Sequence, residues 1–267
     1  MRAAGTLGWA RPVVVALVVA TAAACGLDST ERITGSGERV TDSYDLADFT
    51  RLTVENGFEV RMTVGTAGPP ELVLTIDDNL LDDVRIGVDD GTLRVRLRDG
   101  LSIDVDEPPL VEATVAELSA VRASGASRVE ATGIAAAMFD LALSGASSAS
   151  LAGPIETLTA RASGASSLIA PEVAGGEVTA ELSGASSAEL GGTAALLTVT
   201  ASGASSVEAD ALAAERAELD ASGASRLEVR AEVAVDAEAS GASEIIVAGP
   251  AEVGFEASGG STVRQSD

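Results

Sequence analysis

The stretch RASGASSLIAP, residues 161–171, holds four small residues, Ser163-Gly164-Ala165-Ser166, that recur along most of the chain. Ser-Gly-Ala-Ser also begins at Ser124, Ser144, Ser183, Ser202, Ser222 and Ser240, and a near-copy, Ser-Gly-Gly-Ser, begins at Ser258. Successive motifs lie 20, 19, 20, 19, 20, 18 and 18 residues apart. A nearly fixed period of this size marks a solenoid, in which each turn packs only on its neighbours.

The residues around the motif say which kind of solenoid. One residue before the first Ser stand Ala123, Leu143, Ala162, Leu182 and their equivalents, and three before it Val121, Leu141, Ala160 and Ala180. The residues between them are largely polar: Arg122, Arg161, Glu181, Thr200 and Asp220 all stand two before the motif. The alternation resumes after the motif, with Val129, Leu168 and Val207 five residues beyond the first Ser. A period of two is that of a strand, not of a helix. Each turn therefore reads as strand, Ser-Gly-Ala-Ser corner, strand, then a link with Gly or Pro such as Gly153-Pro154.

Stacked parallel strands set each corner about 4.8 Å above its equivalent. The expected corner residues are Gly125, Gly145, Gly164, Gly184, Gly203, Gly223, Gly241 and Gly259, because glycine tolerates the unusual φ of a tight bend. The neighbouring Ala is expected to point into a narrow interior, and the serines to cap backbone groups at the bend. The fold class is thus all-β, a parallel β-helix of about 18–20 residues per coil. Such stacking gives the small-residue repeat a steric purpose without a ligand.

Composition narrows the function. The chain has 267 residues and a net charge of −24, with 17 basic residues, all Arg, against 41 acids. Such an acidic molecule repels phosphate backbones, so no nucleic-acid partner is expected. There is no His, and Cys25 is the only Cys. Ser-His-Asp and Cys-His catalysis, His-ligated zinc and an intrachain disulfide all fall away, and no cofactor is implied.

Residues 1–24 read as an export signal: Arg2 and Arg11, then the apolar run PVVVALVVATAAA at 12–24. Cys25 follows Ala22-Ala23-Ala24 directly, as in a bacterial lipobox, where the Cys becomes the acylated N-terminus. Residues 25–37 then read as a lipidated Cys and polar tether, 38–115 as an N-terminal β region without the repeat, and 116–267 as the repeat β-helix. The expected place is the cell envelope, periplasmic or on the surface, with the membrane as partner through the anchor.

Two acidic files are candidate cation ligands. Asp220, Glu238 and Glu256 stand two before the motif in three consecutive turns, and Glu189, Glu208 and Glu228 stand six beyond it in three others. Calcium could bridge them, since hard cations prefer carboxylate oxygens. A solvated, screened face is the plainer account, and no metal site is assigned. The C-terminal coil, ending in STVRQSD, lacks a capping helix, so its strand edges are candidates for self-association.

The stretches ENGFEVRMTVG (55–65) and IDDNLLDDVRIGVDDGTLRVRL (76–97), followed by the Ser-Gly-Ala-Ser coils, resemble the bacterial putative auto-transporter adhesin, head GIN domain family over about residues 38–267. That resemblance implies a right-handed, single-stranded β-helix in a secreted or surface-anchored protein, and it supplies no catalytic or binding residues. The expected function is a non-catalytic cell-envelope module, either adhesin-like with a surface glycan or protein as ligand, or a structural spacer. The alternative is a polysaccharide lyase or hydrolase. It needs clustered carboxylates in a groove with sugar-stacking aromatics, whereas beyond residue 24 the chain offers only Tyr44 and four Phe.

Overall fold

The computed structural model describes residues 31–266. Residues 1–24, read as an export signal, and Cys25 lie outside the described residues. The described residues are 66% strand and form a β-solenoid. The repeat runs from β10 (Ala120–Ala123) and β11 (Arg128–Thr132) to β22 (Thr262–Ser266). All its strand pairs are parallel, each joining equivalent positions of successive turns: Arg122 lies beside Ala142, Ala142 beside Arg161, and Arg161 beside Glu181. Where the link between the two faces is itself extended, the strand continues through it, as in β17 (Ser187–Ala201), β18 (Ser206–Ala221) and β19 (Arg226–Ala239).

The inward files are those the alternation marked. Phe139, Leu158, Val178 and Leu197 are buried on the face before the corner, and Val129, Leu168, Val207 and Leu227 on the face after it. Alanines fill the inward places nearest the corner, among them Ala123, Ala162, Ala201 and Ala221. A bend brings the two faces together there, and a methyl is what the narrowing space accepts.

At the corner the structure reverses one expectation. The Ala of the motif points to solvent, and the second Ser points inward. Ser127, Ser147, Ser166, Ser186, Ser205, Ser225 and Ser243 are all 1% exposed or less. Each inward hydroxyl donates to the carbonyl of the first Ser of its own motif, at 2.7–2.9 Å. The left-handed Gly between them causes the swap, because a positive φ breaks the alternation of side-chain direction. The hydroxyl is small enough for the corner, and its burial is offset by that hydrogen bond.

Glycine is required here twice over. Gly203 has φ +80°. A Cβ at Gly203 would also lie 2.5 Å from the carbonyl oxygen of Gly184 one turn below. That oxygen accepts the Ala204 N–H at 2.7 Å, so the corner is itself a rung of the hydrogen-bond ladder.

The N-terminal third lacks the Ser-Gly-Ala-Ser motif yet adds rungs to the stack. Strands β3 (Arg51–Val54) and β4 (Glu59–Val64) form a solenoid rung paired in register with β10 and β11. The register sets Glu55-Asn56-Gly57-Phe58 beneath Ser124-Gly125-Ala126-Ser127. Asn56 and Gly57 take φ 68° and 80°, and Gly125 and Ala126 copy them at 67° and 68°. Phe58, fully buried, stands where the later turns have Ser.

The rungs are also out of chain order. On the other side of β3 lies β7 (Thr92–Leu97), and on the other side of β4 lies β9 (Leu110–Val115). The chain thus builds the β3–β4 rung first and the β7–β9 rung outside it. It then crosses back to start the repeat at β10.

Antiparallel pairing closes this end. β2 (Arg39–Asp45) pairs with β5 (Glu71–Asp77), β5 with β9, and β6 (Val84–Asp89) with β7. A 3-10 helix at Asp78–Asp83 buries Leu80. β1 (Glu31–Thr34) pairs with β8 (Leu101–Asp104), so residues 31–34 belong to the folded body and not to a tether. At the opposite end nothing among the described residues covers the last turn. There β21 (Glu252–Ala257) is mostly exposed, and Phe255, in an inward file, is 57% exposed.

Candidate functional site

The strands before the corner make one continuous outward sheet face of ten rungs. Its composition changes along its length. Two residues before the corner, the first five rungs carry Arg94, Thr53, Arg122, Ala142 and Arg161. The last five carry Glu181, Thr200, Asp220, Glu238 and Glu256. Four residues before the corner, Arg51 stands on the second rung, Ala120 on the third, Asp140 on the fourth, threonines on the fifth to seventh, Glu218 on the eighth and Asp236 on the ninth. In the file two before the corner one end is basic and the other acidic, within a chain of net charge −24, while beside that file Asp140 lies in the first half and Arg216 in the second.

Along the first rungs of the repeat runs a groove of about 670 Å³, bounded by Ser124, Ser144, Ser163, Ser183 and Ser202 on the corner side. Ala142 deepens it, because a methyl stands between the side chains of Arg122 and Arg161. Arg161 is bound to Glu181 at 3.1 Å, both about half exposed. Arg122 and Arg94 form no ion pair among the described residues, and neither do Asp220, Glu238 and Glu256.

The groove has two carboxylates, Glu55 and Glu181. Four rungs separate them, about 19 Å at the strand spacing, far beyond the roughly 5–10 Å over which paired carboxylates cleave a glycosidic bond. Phe49, Phe58 and Phe139 are buried, and the exposed ring of Phe255 lies on the last turn.

The two acidic files stand in register as expected: Asp220 beside Glu238, Glu238 beside Glu256, and Glu189 beside Glu208, Glu208 beside Glu228. Among the described residues, no group of three or more His, Cys, Asp or Glu is placed to hold a metal ion. Beside the second file Arg226 supplies the countercharge. Its Nε donates to Glu228 at 2.7 Å, and its other nitrogens reach Glu228 and Glu244. The Glu228 hydrogen bond, aided by the charges of Glu244 and Glu208, raises the Arg226 pKa above its ordinary value.

The basic end was the feature that sequence reasoning missed. Arg122 and Arg161 are visible as polar residues in the alternation. Arg94 and Arg51 join their face only through the out-of-order rungs. No helix among the described residues is long and apolar enough to cross a membrane.

Comparison with known proteins agrees with this architecture. A crystal structure of a putative lipid binding protein from Parabacteroides distasonis superposes with a TM-score of 0.80 at 23% identity, over 89% of this chain and 100% of that one. A putative adhesin from Parabacteroides merdae gives 0.76 at 19% identity, over 88% and 99%. A putative adhesin from Parabacteroides distasonis gives 0.77 at 20% identity, over 88% and 100%. At these identities the likeness is one of fold. A search of the curated proteins finds no match. The family model described as "Putative auto-transporter adhesin, head GIN domain" matches residues 48–251, so the chain belongs to that family.

Proposed function

We propose that this protein is a non-catalytic binding module of the cell envelope, exported by residues 1–24, anchored through an acylated Cys25, and presenting its solenoid as an adhesive rod. The observation that carries the reading is the ten-rung outward face, with its shallow groove and its graded charge. It is long and built on parallel strands stacked in register from the corner outward, which suits recognition of an extended surface. The adhesin description of the family and the names of the solved relatives agree with it. The separation of Glu55 from Glu181 argues against glycan cleavage at the groove. A lipid would have to bind outside the rod, since the interior files are filled by side chains of a few per cent exposure or less.

The test compares cells carrying the chain with a deletion strain for attachment to other cells and to immobilised glycans. Higher attachment by the carrier, with no sugar products released, is the expected result. Equal attachment by both strains, or release of cleaved sugars by the purified chain, would overturn the reading. Exchange of Cys25 for Ser is expected to move the protein from the detergent-rich to the aqueous phase on detergent partition.

A further inference from the structure

We propose that the partner of the graded face is the same face of a second copy, set antiparallel, so that adhesion by this module is homophilic. The inference rests on the binding-module reading above and names its partner.

Symmetry decides the arrangement. Two copies can pack this face together about a two-fold axis along the solenoid, or about one along the strands. The first sets each rung opposite its own equivalent, basic end on basic end. The second reverses one rod, so that the first rung meets the tenth and the fifth meets the sixth. Residues two before the corner then meet residues two before the corner. Arg161 faces the partner copy's Glu181, and Arg122 faces Asp220. In the next file Arg51 faces Asp236. Each contact occurs twice, as an isologous interface requires.

Three further observations fit. Arg122 and Asp220 lack an ion-pair partner within the chain among the described residues, so a second copy would supply one. Met138 is 73% exposed and lies six before the corner on the fourth rung. The same operation sets it opposite Leu196 on the seventh, giving the charged face an apolar contact. The area is also adequate. Ten rungs about 4.8 Å apart and a width of about seven residues give roughly 900–1,000 Å² per copy, against about 800 Å² per partner in a standard stable interface.

The geometry has a consequence for adhesion. Reversing one rod sets the two residue-31 ends at opposite ends of the pair. Rods rooted at those ends would approach from opposite sides, as on two facing cells.

The test is sedimentation velocity of the full chain in mild detergent, with two charge-reversed variants. One carries Arg122→Glu and Arg161→Glu, the other Asp220→Arg and Glu181→Arg. The wild type is expected to sediment as a dimer that weakens as salt rises. Each variant alone is expected to be monomeric, because all four of those contacts become like-charged. An equal mixture is expected to recover the dimer, because every reversed residue meets its reversed partner. All four positions are exposed, and circular dichroism checks that each variant folds. If a reversed variant does not fold, Arg122→Gln with Arg161→Gln replaces it, and undiminished dimer then refutes the face.

A monomeric wild type, or a mixture that stays monomeric, overturns the proposal. A dimer that survives in both variants overturns it too and points to end-on contact through the exposed last turn. A monomeric wild type that still attaches to glycans leaves the binding-module reading standing, and a monomeric wild type that attaches to nothing removes both.

Discussion

Exchange of Gly203 for Ala separates the two reasons for glycine at the corner. A side chain held at a φ near +80° costs about 1–2 kcal/mol. Gly100 has φ +74° and nothing within 4 Å of an added Cβ, so Gly100→Ala carries that cost alone. At Gly203 the added carbon would sit 2.5 Å from the Gly184 oxygen. Restoring ordinary contact moves that oxygen off the Ala204 N–H, now 2.7 Å away, and weakening a buried backbone hydrogen bond costs about 1–2 kcal/mol more. Gly203→Ala is therefore expected to cost about 2–4 kcal/mol and Gly100→Ala about half that. For a chain of this size each kcal/mol moves Tm by about 2–4 °C. Thermal melting followed by circular dichroism should then give a drop of about 10 °C for Gly203→Ala and about 4 °C for Gly100→Ala. Equal drops would refute the stacking argument and leave only backbone strain.

Other substitutions follow from the same corner. Ala126 is a non-glycine residue at φ 68°, so Ala126→Gly is expected to raise stability by about 0.5–1 kcal/mol in urea unfolding. Ser186→Ala removes a buried hydroxyl bonded at 2.8 Å to the Ser183 carbonyl. It is expected to cost about 1–2 kcal/mol, while Ser206→Ala, half-buried at the start of β18, stays within about 0.5. Because no three acids among the described residues are placed to hold a metal ion, millimolar calcium is expected to leave Tm unchanged. A rise above about 3 °C would restore the acidic files as ligands.

The repeat region was legible because one period encodes both the turn and the strand. Spacing near twenty fixed the stacking, and alternation fixed which of Val121, Arg122 and Ala123 faces inward. The corner was less legible. Alternation stops at a left-handed residue, so nothing in the order Ser-Gly-Ala-Ser says that Ser127 turns in while Ala126 turns out. Glu55-Asn56-Gly57-Phe58 does the same work with other residues, and Asn-Gly is a known carrier of paired positive φ. It was legible as a turn, but its place in the stack was not, because that place is set by pairing with β10, more than sixty residues later. The graded face was hidden for the same reason. Its acidic half lies in consecutive repeats, whereas Arg94 and Arg51 reach it only through that out-of-order stacking.

The central claim is that the rod works outside the cell. The direct measurement is antibody staining of intact cells carrying the chain with a C-terminal epitope tag, with permeabilised cells alongside. Staining of intact cells at the permeabilised level is the predicted result. Signal only after permeabilisation would contradict the adhesive role and leave a scaffold beneath the surface.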